Sequence, residues 1–178
     1  MREPALRLAL RHVPAVDRQQ AIVQALAAGD SGNLWEATRG GTLVGALWGQ
    51  LHPGRTASLC LPQLIDGEPG ETGVALLRAA QEQFSTRGIV LVQALLETDT
   101  GPDFDHFIGA GLEHVCDLLY LVSLAKSFPD ARPAEELEFV PVPETEMQRL
   151  AGILELTYEG TLDCPTLNGV RSATDVLA

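Results

Sequence analysis

The stretch from Ala57 to Leu96 constrains the fold of this chain most strongly. It reads ASLCLPQLI, then DGEPGET, then GVALLRAAQEQFSTR and finally GIVLVQALL. The two apolar runs, each bounded by turn residues, predict β-strands, and the spacing of Leu76, Leu77, Ala80 and Phe84 predicts an amphipathic helix between them. A strand–helix–strand unit of this kind gives two parallel strands joined by a right-handed crossover. The sequence therefore predicts an α/β fold with a parallel strand pair.

Composition narrows the classes of partner and cofactor. The chain has 178 residues, of which 46% are hydrophobic, and a formal net charge of −12. Nucleic acids and anionic membranes select basic surfaces, so neither is expected as a partner. Three cysteines without a C-x-x-C pair and four histidines without metal-ligand spacing predict no metal site and no disulfide framework. With no signal peptide and no apolar run long enough to span a bilayer, we expect a cytoplasmic protein.

Hydrophobic periodicity and turn residues predict the elements around this unit. Residues 5–13 alternate loosely and predict a strand, and Gly40-Gly41 predicts a two-residue hairpin turn. The almost wholly apolar strand at 89–96 is expected to be covered on both faces. The other predicted elements of this part are a helix from Asp17 to Ala28, hairpin strands at 33–39 and 42–52, a short helix from Asp103 to Ala110 and a long strand from Leu112 to Leu124.

Beyond residue 124 the composition changes. Residues 125–136, AKSFPDARPAEE, contain two prolines and predict a linker. A short strand at 137–142, a helix from about Glu144 to Tyr158 and a helix beginning at Ser172 are predicted after it. We therefore divide the chain into a domain over 1–130 and a second part over 131–178.

The order of these elements resembles the GNAT (N-acetyltransferase) superfamily. The resemblance covers residues 5–124 and rests on the Gly40-Gly41 hairpin, the unit at 57–96 and FIGAGLEHVCDLLYLVSL at 107–124. It implies a mixed, mainly antiparallel sheet with one splayed parallel strand pair and flanking helices. It also implies acetyl-CoA in the cleft between the splayed strands, and attack of an amine of a small molecule or protein on the thioester.

The loop before the crossover helix departs from the family's pattern. In GNAT proteins backbone amides of a Q/R-x-x-G-x-G/A loop hold the pyrophosphate, and here Glu68 and Glu71 fall at the first two of those positions while Gly73 matches the third. A carboxylate beside a phosphate is repulsive, by about 1 kcal/mol for a close contact even in water. A shifted loop is the alternative, and its candidate cofactor-binding residues are Gly67, Gly70, Thr72, Gly73 and Val74.

The catalytic residues that the resemblance implies are also incomplete. The position of the family's general-acid tyrosine holds Phe107, which has no proton to donate and is expected to be a packing residue. Glu97 and Asp99 follow the second parallel strand, where open α/β folds often place functional groups, and they are the candidate catalytic bases.

The tail suggests how such a domain is used. TYEGTLDCPTLNG at 157–169 looks like the substrate side of another GNAT domain, so that 131–178 would be a linker plus the start of a second, truncated GNAT-like domain. The alternative is that 137–142 is the last strand of the first domain and the tail a C-terminal extension that packs over it. The leading expectation is a non-catalytic N-terminal half of a tandem N-acetyltransferase that supports a missing C-terminal catalytic domain. The alternatives are an active acyl-CoA-dependent N-acetyltransferase with a variant loop, and an interaction domain that docks a partner or a second copy through the 144–158 helix.

Overall fold

A computed structural model of the chain describes residues 3–27, 33–97, 101–119, 121–127, 140–159 and 164–178. It divides into two compact units. Unit 1 comprises residues 1–114 and 169–178, and unit 2 comprises residues 115–168. Within the described residues, no helix has the length and apolar character needed to cross a membrane. The predicted boundary at 130/131 falls outside the described residues and stays a prediction.

The first described element is a helix where the alternation at 5–13 predicted a strand, so that prediction was wrong. Helix α1 spans Glu3–Ala9. Ala5, Leu6 and Ala9 are buried at helical spacing, and Arg7 binds Glu3 one turn earlier with an N–O distance of 2.6 Å. A short run of alanine and leucine fits the period of a strand as well as that of a helix. Here the helix forms because it places one apolar stripe against a neighbouring strand.

The predicted helix and hairpin after it are confirmed. Helix α2 spans Ala15–Ala27, strand β1 spans Leu34–Arg39 and strand β2 spans Thr42–His52. β1 and β2 pair antiparallel across Gly40 and Gly41, whose φ angles are +58° and +81°. Two consecutive positive φ angles match the twist of the flanking strands in a two-residue hairpin, and glycine adopts them without strain.

The remaining strands complete a mixed sheet. Strand β3 spans Thr56–Leu59, β4 spans Gln63–Leu64 and β5 spans Leu91–Gln93. The hydrogen-bonded order is β1-β2-β3-β5, and β4 also pairs with β2. The β1–β2, β2–β3 and β2–β4 pairs are antiparallel, whereas β3 and β5 are parallel. The crossover between them is helix α3, which spans Glu71–Thr86. The predicted fold class, an α/β mixed, mainly antiparallel sheet with one parallel pair and flanking helices, is confirmed.

Helices cover both faces of this sheet. One face packs α3 through Leu77, Ala80 and Phe84 against Trp35 and Leu47. Phe84 and Trp35 meet edge to face with ring centroids 5.2 Å apart. On the other face α1 packs Ala5 and Ala9 on Ala46, and Leu6 and Leu10 contact Ile22 of α2. Successive strand residues point to opposite faces, which is why Ala46 and Leu47 belong to different clusters.

The strand predicted at 89–96 is shorter and less buried than expected. Only Leu91–Gln93 pair, and they pair with β3 alone among the described residues. Leu91 and Val92 are half-buried, and Leu95 is 64% exposed. The prediction of cover on both faces was wrong because Val92, Ala94 and Leu96 pack on the core cluster of α3, whereas Gln93 and Leu95 on the opposite face are exposed.

Two short helices complete unit 1. Helix α4 spans Pro102–Gly109, as predicted, and packs on α3 through Phe107 and a hydrogen bond from Arg78 to the Gly109 carbonyl. Helix α6 spans Ala173–Leu177 and begins at the predicted Ser172, whose hydroxyl accepts a hydrogen bond from the amide of Asp175. The Asp175 carboxylate accepts two hydrogen bonds from Arg55, at 2.7 and 2.6 Å. This contact holds the end of the chain on the β2–β3 turn.

In the described part of unit 2 the longest helix is α5, which spans Met147–Tyr158 after a 3₁₀ turn at Glu144–Glu146. This agrees with the helix predicted there. The strand predicted over Leu112 to Leu124 was wrong for the described residues of that range, which pair with no strand. Leu119 and Leu121 are 84% and 85% exposed. An apolar run forms a strand only where a neighbour supplies hydrogen bonds, and no strand among the described residues does so here. Residues 140–142 likewise form no strand, and 137–139 lie outside the described residues.

Candidate functional site

The parallel pair opens at the carboxyl ends of its strands. β3 and β5 share three residue pairs, from Thr56–Leu91 to Ser58–Gln93. The chain then bulges through Cys60 to Pro62, and β4 pairs with β2 and not with β5. Pro62 has no amide hydrogen for a ladder bond, which suits a strand at such a break. The carboxyl end of β4 leads into the loop at 66–70, which is followed by the first turn of α3.

Two hydrogen bonds fix the side chain of Glu68 in this loop. Its Oε1 accepts a hydrogen bond of 2.7 Å from Nη2 of Arg39, at the end of β1, and one of 2.5 Å from the hydroxyl of Thr72, in the first turn of α3. Its side chain is only 6% exposed. The hydrogen bonds from Arg39 and then from Thr72 hold the pKa of Glu68 below its usual value. An ionised carboxylate therefore lies beside the positive end of the α3 dipole.

His106 covers the glycines of the same turn. A Cβ atom on Gly73 would lie 3.2 Å from the imidazole Cδ2 and Cγ atoms, and one on Gly70 would lie 3.1 Å from Nε2. The Nδ1 atom of His106 is shielded from solvent and has no hydrogen-bond partner among the described residues. Gly70 and Gly73 are thus small because an α4 side chain packs on them. His106 is therefore a half-buried packing residue of a helix.

The other predicted loop residues divide between exposed and packed positions. Gly67 is exposed with φ +80°, and Gly70 is exposed apart from the imidazole. Thr72 donates its hydroxyl to Glu68, and the half-buried Val74 packs on the core. Gly73 is buried. Among the five predicted cofactor-binding residues, Thr72 is bonded to Glu68 and the ring of His106 packs on Gly70 and Gly73, whereas the space beside Gly67 is open.

The structure places one of the two candidate bases. Glu97 is exposed after β5, and Asp99 lies outside the described residues. Phe107 is 3% exposed in the core, as expected of a packing residue. No three His, Cys, Asp or Glu side chains within the described residues lie close enough to share a metal ion.

A shallow groove of about 380 Å³ lies beside the loop, between β1 and α3. Trp35, Ala37, Ala75 and Thr72 line it, together with the carboxylates of Glu36 and Glu71. Its walls belong to β1 and α3, so it is a different space from the opening between β4 and the chain after β5. Two carboxylates at its rim disfavour an anionic occupant.

Sequence reasoning missed Arg39 and His106. Arg39 lies 29 positions before its partner Glu68, and His106 lies 33 positions after Gly73 on another helix. No local pattern links residues so far apart in the chain. The glycines at 70 and 73 were the one signal, because glycine at close spacing indicates a close approach by some group.

Comparison of the chain with models of known protein families gives no match, and a search of curated proteins gives none either.

Proposed function

We propose that this chain is a GNAT-like domain that does not turn over acetyl-CoA and that supports a separate catalytic N-acetyltransferase domain. The observation that carries the proposal is the carboxylate of Glu68 held at the N-terminus of α3. In an acyl-CoA transferase of this kind that place belongs to the pyrophosphate. In this chain the carboxylate of Glu68 and the ring of His106 lie against the first turn of α3, which supports the proposal.

The energetics support loss of cofactor binding. A helix N-terminus attracts one anion because its first amides and its dipole carry partial positive charge. Glu68 is ionised at neutral pH and lies beside this turn, although it accepts no hydrogen bond from the helix amides. An incoming pyrophosphate would therefore meet its carboxylate and the nearby Glu71. Releasing Glu68 would break its bonds to Arg39 and Thr72. Both steps oppose binding of acetyl-CoA.

The lack of a general acid supports the same proposal. Phe107 stands where the resemblance places a tyrosine hydroxyl, and it packs in the core. A departing CoA thiolate would find no proton donor there. The parallel pair and its crossover helix persist, so the domain keeps a scaffold for packing against a catalytic partner.

Calorimetric titration with acetyl-CoA tests the proposal, in the wild type and in a variant that restores the family's loop, Glu68→Gln with Glu71→Gly. We expect no binding to the wild type up to about 1 mM ligand, corresponding to less than about 4 kcal/mol of affinity. The restored variant is expected to bind. The matched control is Glu82→Gln with Glu155→Gln, which removes the same two charges from exposed positions and is expected not to bind.

Each contrary result is informative. Tight binding to the wild type with transfer of the acetyl group to an amine would establish the alternative, an active N-acetyltransferase with a variant loop. Absence of binding in the restored variant, with its fold intact by circular dichroism, would argue against a GNAT origin altogether.

A second candidate is an interaction domain that docks a second copy through α5. This helix contains no buried residue, and Ile153 and Leu156 are 48% and 66% exposed. Exposed apolar helix faces often mark contact surfaces. Light scattering is expected to give a dimer mass for the wild type and a monomer mass for Leu156→Glu. A wild-type monomer at high concentration would reject this candidate.

A further inference from the structure

Two cysteines that are distant in the sequence meet in unit 2. The Sγ atoms of Cys116 and Cys164 lie 3.2 Å apart, although 48 positions separate them in the chain. Cys116 is exposed and Cys164 is half-buried, so a small reagent can reach the pair. A disulfide bond of about 2.05 Å requires the two sulfurs to approach by little more than about 1 Å.

The backbone at Cys164 points to the same pair. Cys164 has φ 46° and ψ 60°, the left-handed conformation, immediately before the 3₁₀ turn at Pro165–Leu167. A non-glycine residue is strained there by about 1–2 kcal/mol and keeps the conformation only where its surroundings hold it. The contact with Cys116 is one interaction that holds it.

We propose that Cys116 and Cys164 form a reversible disulfide that links the two ends of unit 2. Every described residue of this unit is at least partly exposed, so its described part contains no buried core that would hold the two ends together. A covalent link across a long loop restricts the unfolded chain more than a link across a short one. The bond would therefore order this unit when the surroundings become oxidising.

The oxidant is a low-molecular-weight disulfide such as oxidised glutathione. One cysteine thiolate attacks a sulfur of the oxidant, which forms a mixed disulfide and releases one thiol. The second cysteine thiolate then attacks the protein sulfur of the mixed disulfide and releases the other thiol. In total two protein thiols lose two electrons and two protons, and one molecule of oxidant becomes two thiols.

Cys60 provides an internal control. It lies in unit 1 at the break between β3 and β4, and burial raises the pKa of its thiol. A thiol of raised pKa is a poorer source of thiolate, so Cys60 is expected to remain reduced while the pair reacts.

The full chain is equilibrated with glutathione buffers of increasing oxidised fraction, quenched with acid and analysed by thiol counting and peptide mapping under non-reducing conditions. We expect the number of titratable thiols to fall from three to one and a peptide pair joined through Cys116 and Cys164. The Cys60→Ser variant is expected to form the same link, whereas Cys116→Ser and Cys164→Ser do not.

A measurement in denaturant separates a folded pair from chance encounters. In concentrated guanidinium chloride the equilibrium constant for the link is expected to fall at least about tenfold, because the two thiols are no longer held together. An unchanged constant would overturn the proposal. Crosslinked dimers through Cys116, or a glutathione adduct on Cys116 that Cys164 does not resolve, would overturn it as well.

Discussion

Single residues decide how the end of the chain docks in unit 1. Gly54, in the turn between β2 and β3, has φ +74°, and a Cβ atom there would clash with the carbonyl oxygen of Asp175. The next residue, Arg55, is also left-handed, with φ 55°, and its guanidinium binds the Asp175 carboxylate through two hydrogen bonds. The turn thus places a guanidinium group beside the space left by the missing side chain of Gly54. Asp175 of α6 binds the guanidinium with its carboxylate and occupies the space with its carbonyl oxygen.

Gly54→Ala is expected to destabilise the protein more than Gly88→Ala. Gly88 has nearly the same φ, +75°, but its Cβ position is open, so only the left-handed strain of about 1 kcal/mol applies there. At Gly54 the clash adds to this strain and displaces α6. Urea unfolding measures the difference, and hydrogen exchange should show the amides of 173–177 exchanging at least about tenfold faster in Gly54→Ala alone. Equal losses in the two variants, with α6 still protected, would contradict this.

At the scale of elements, an ion pair between Asp175 and Arg55 attaches α6 to the turn between β2 and β3. This helix is only five residues long, and its capping box joins the Ser172 and Asp175 side chains and amides. Hydrogen bonds from Arg55 and then from Ser172 lower the pKa of the Asp175 carboxyl. A carboxylate whose folded-state pKa is depressed contributes stability above its unfolded value, which is about 3.9 for aspartate, and loses that contribution as the pH falls through the folded-state pKa.

Asp175→Asn is therefore expected to lower the melting temperature by a few degrees at pH 6. The difference from the wild type should shrink steadily as the pH falls below about 4, because protonation of Asp175 then stabilises the unfolded wild type, and at still lower pH the folded carboxylate is protonated as well. Thermal unfolding monitored by circular dichroism between pH 2 and 7 measures it. Asp66→Asn is the control, since Asp66 is exposed and makes no ion pair among the described residues. A difference that does not depend on pH would contradict the role assigned to the Asp175 charge.

At the scale of the whole molecule the two units differ in how much they bury. Unit 1 contains all the buried side chains of the described residues, among them Leu47, Leu77 and Phe84. In unit 2, α5 buries none. Local stability follows buried apolar contact, so the two units should open with different free energies.

The amides of α3 around Leu77 and Ala80 are expected to exchange with deuterium at least about a hundredfold more slowly than those of α5. Hydrogen exchange with mass spectrometry on the reduced protein measures both helices in one experiment. Repeating it with Cys116→Ser removes any contribution of a disulfide. Protection of α5 equal to that of α3 would mean that a second copy or another partner covers α5 in solution.

The sequence by itself determined the elements whose cause is local. The glycine pair at 40–41 specifies a hairpin turn, the apolar stripe of α3 specifies the crossover, and Ser172 specifies a helix start, because each depends on residues within a few positions. The five candidate cofactor-binding residues also lie within one short segment of the sequence, 67–74. Glu68 and Glu71 could be recognised as unsuited to a phosphate loop from their charge alone.

Only the tertiary structure decided the rest. The same alternation that predicted a strand at 5–13 suits the helix α1, and Ala46 of β2 selected the helix by packing on Ala5 and Ala9. The bond from Arg39 to Glu68, the imidazole of His106 over Gly73 and the meeting of Cys116 with Cys164 join residues that are 29 or more positions apart. Such contacts form because the whole chain has folded around them, and no local spacing encodes them.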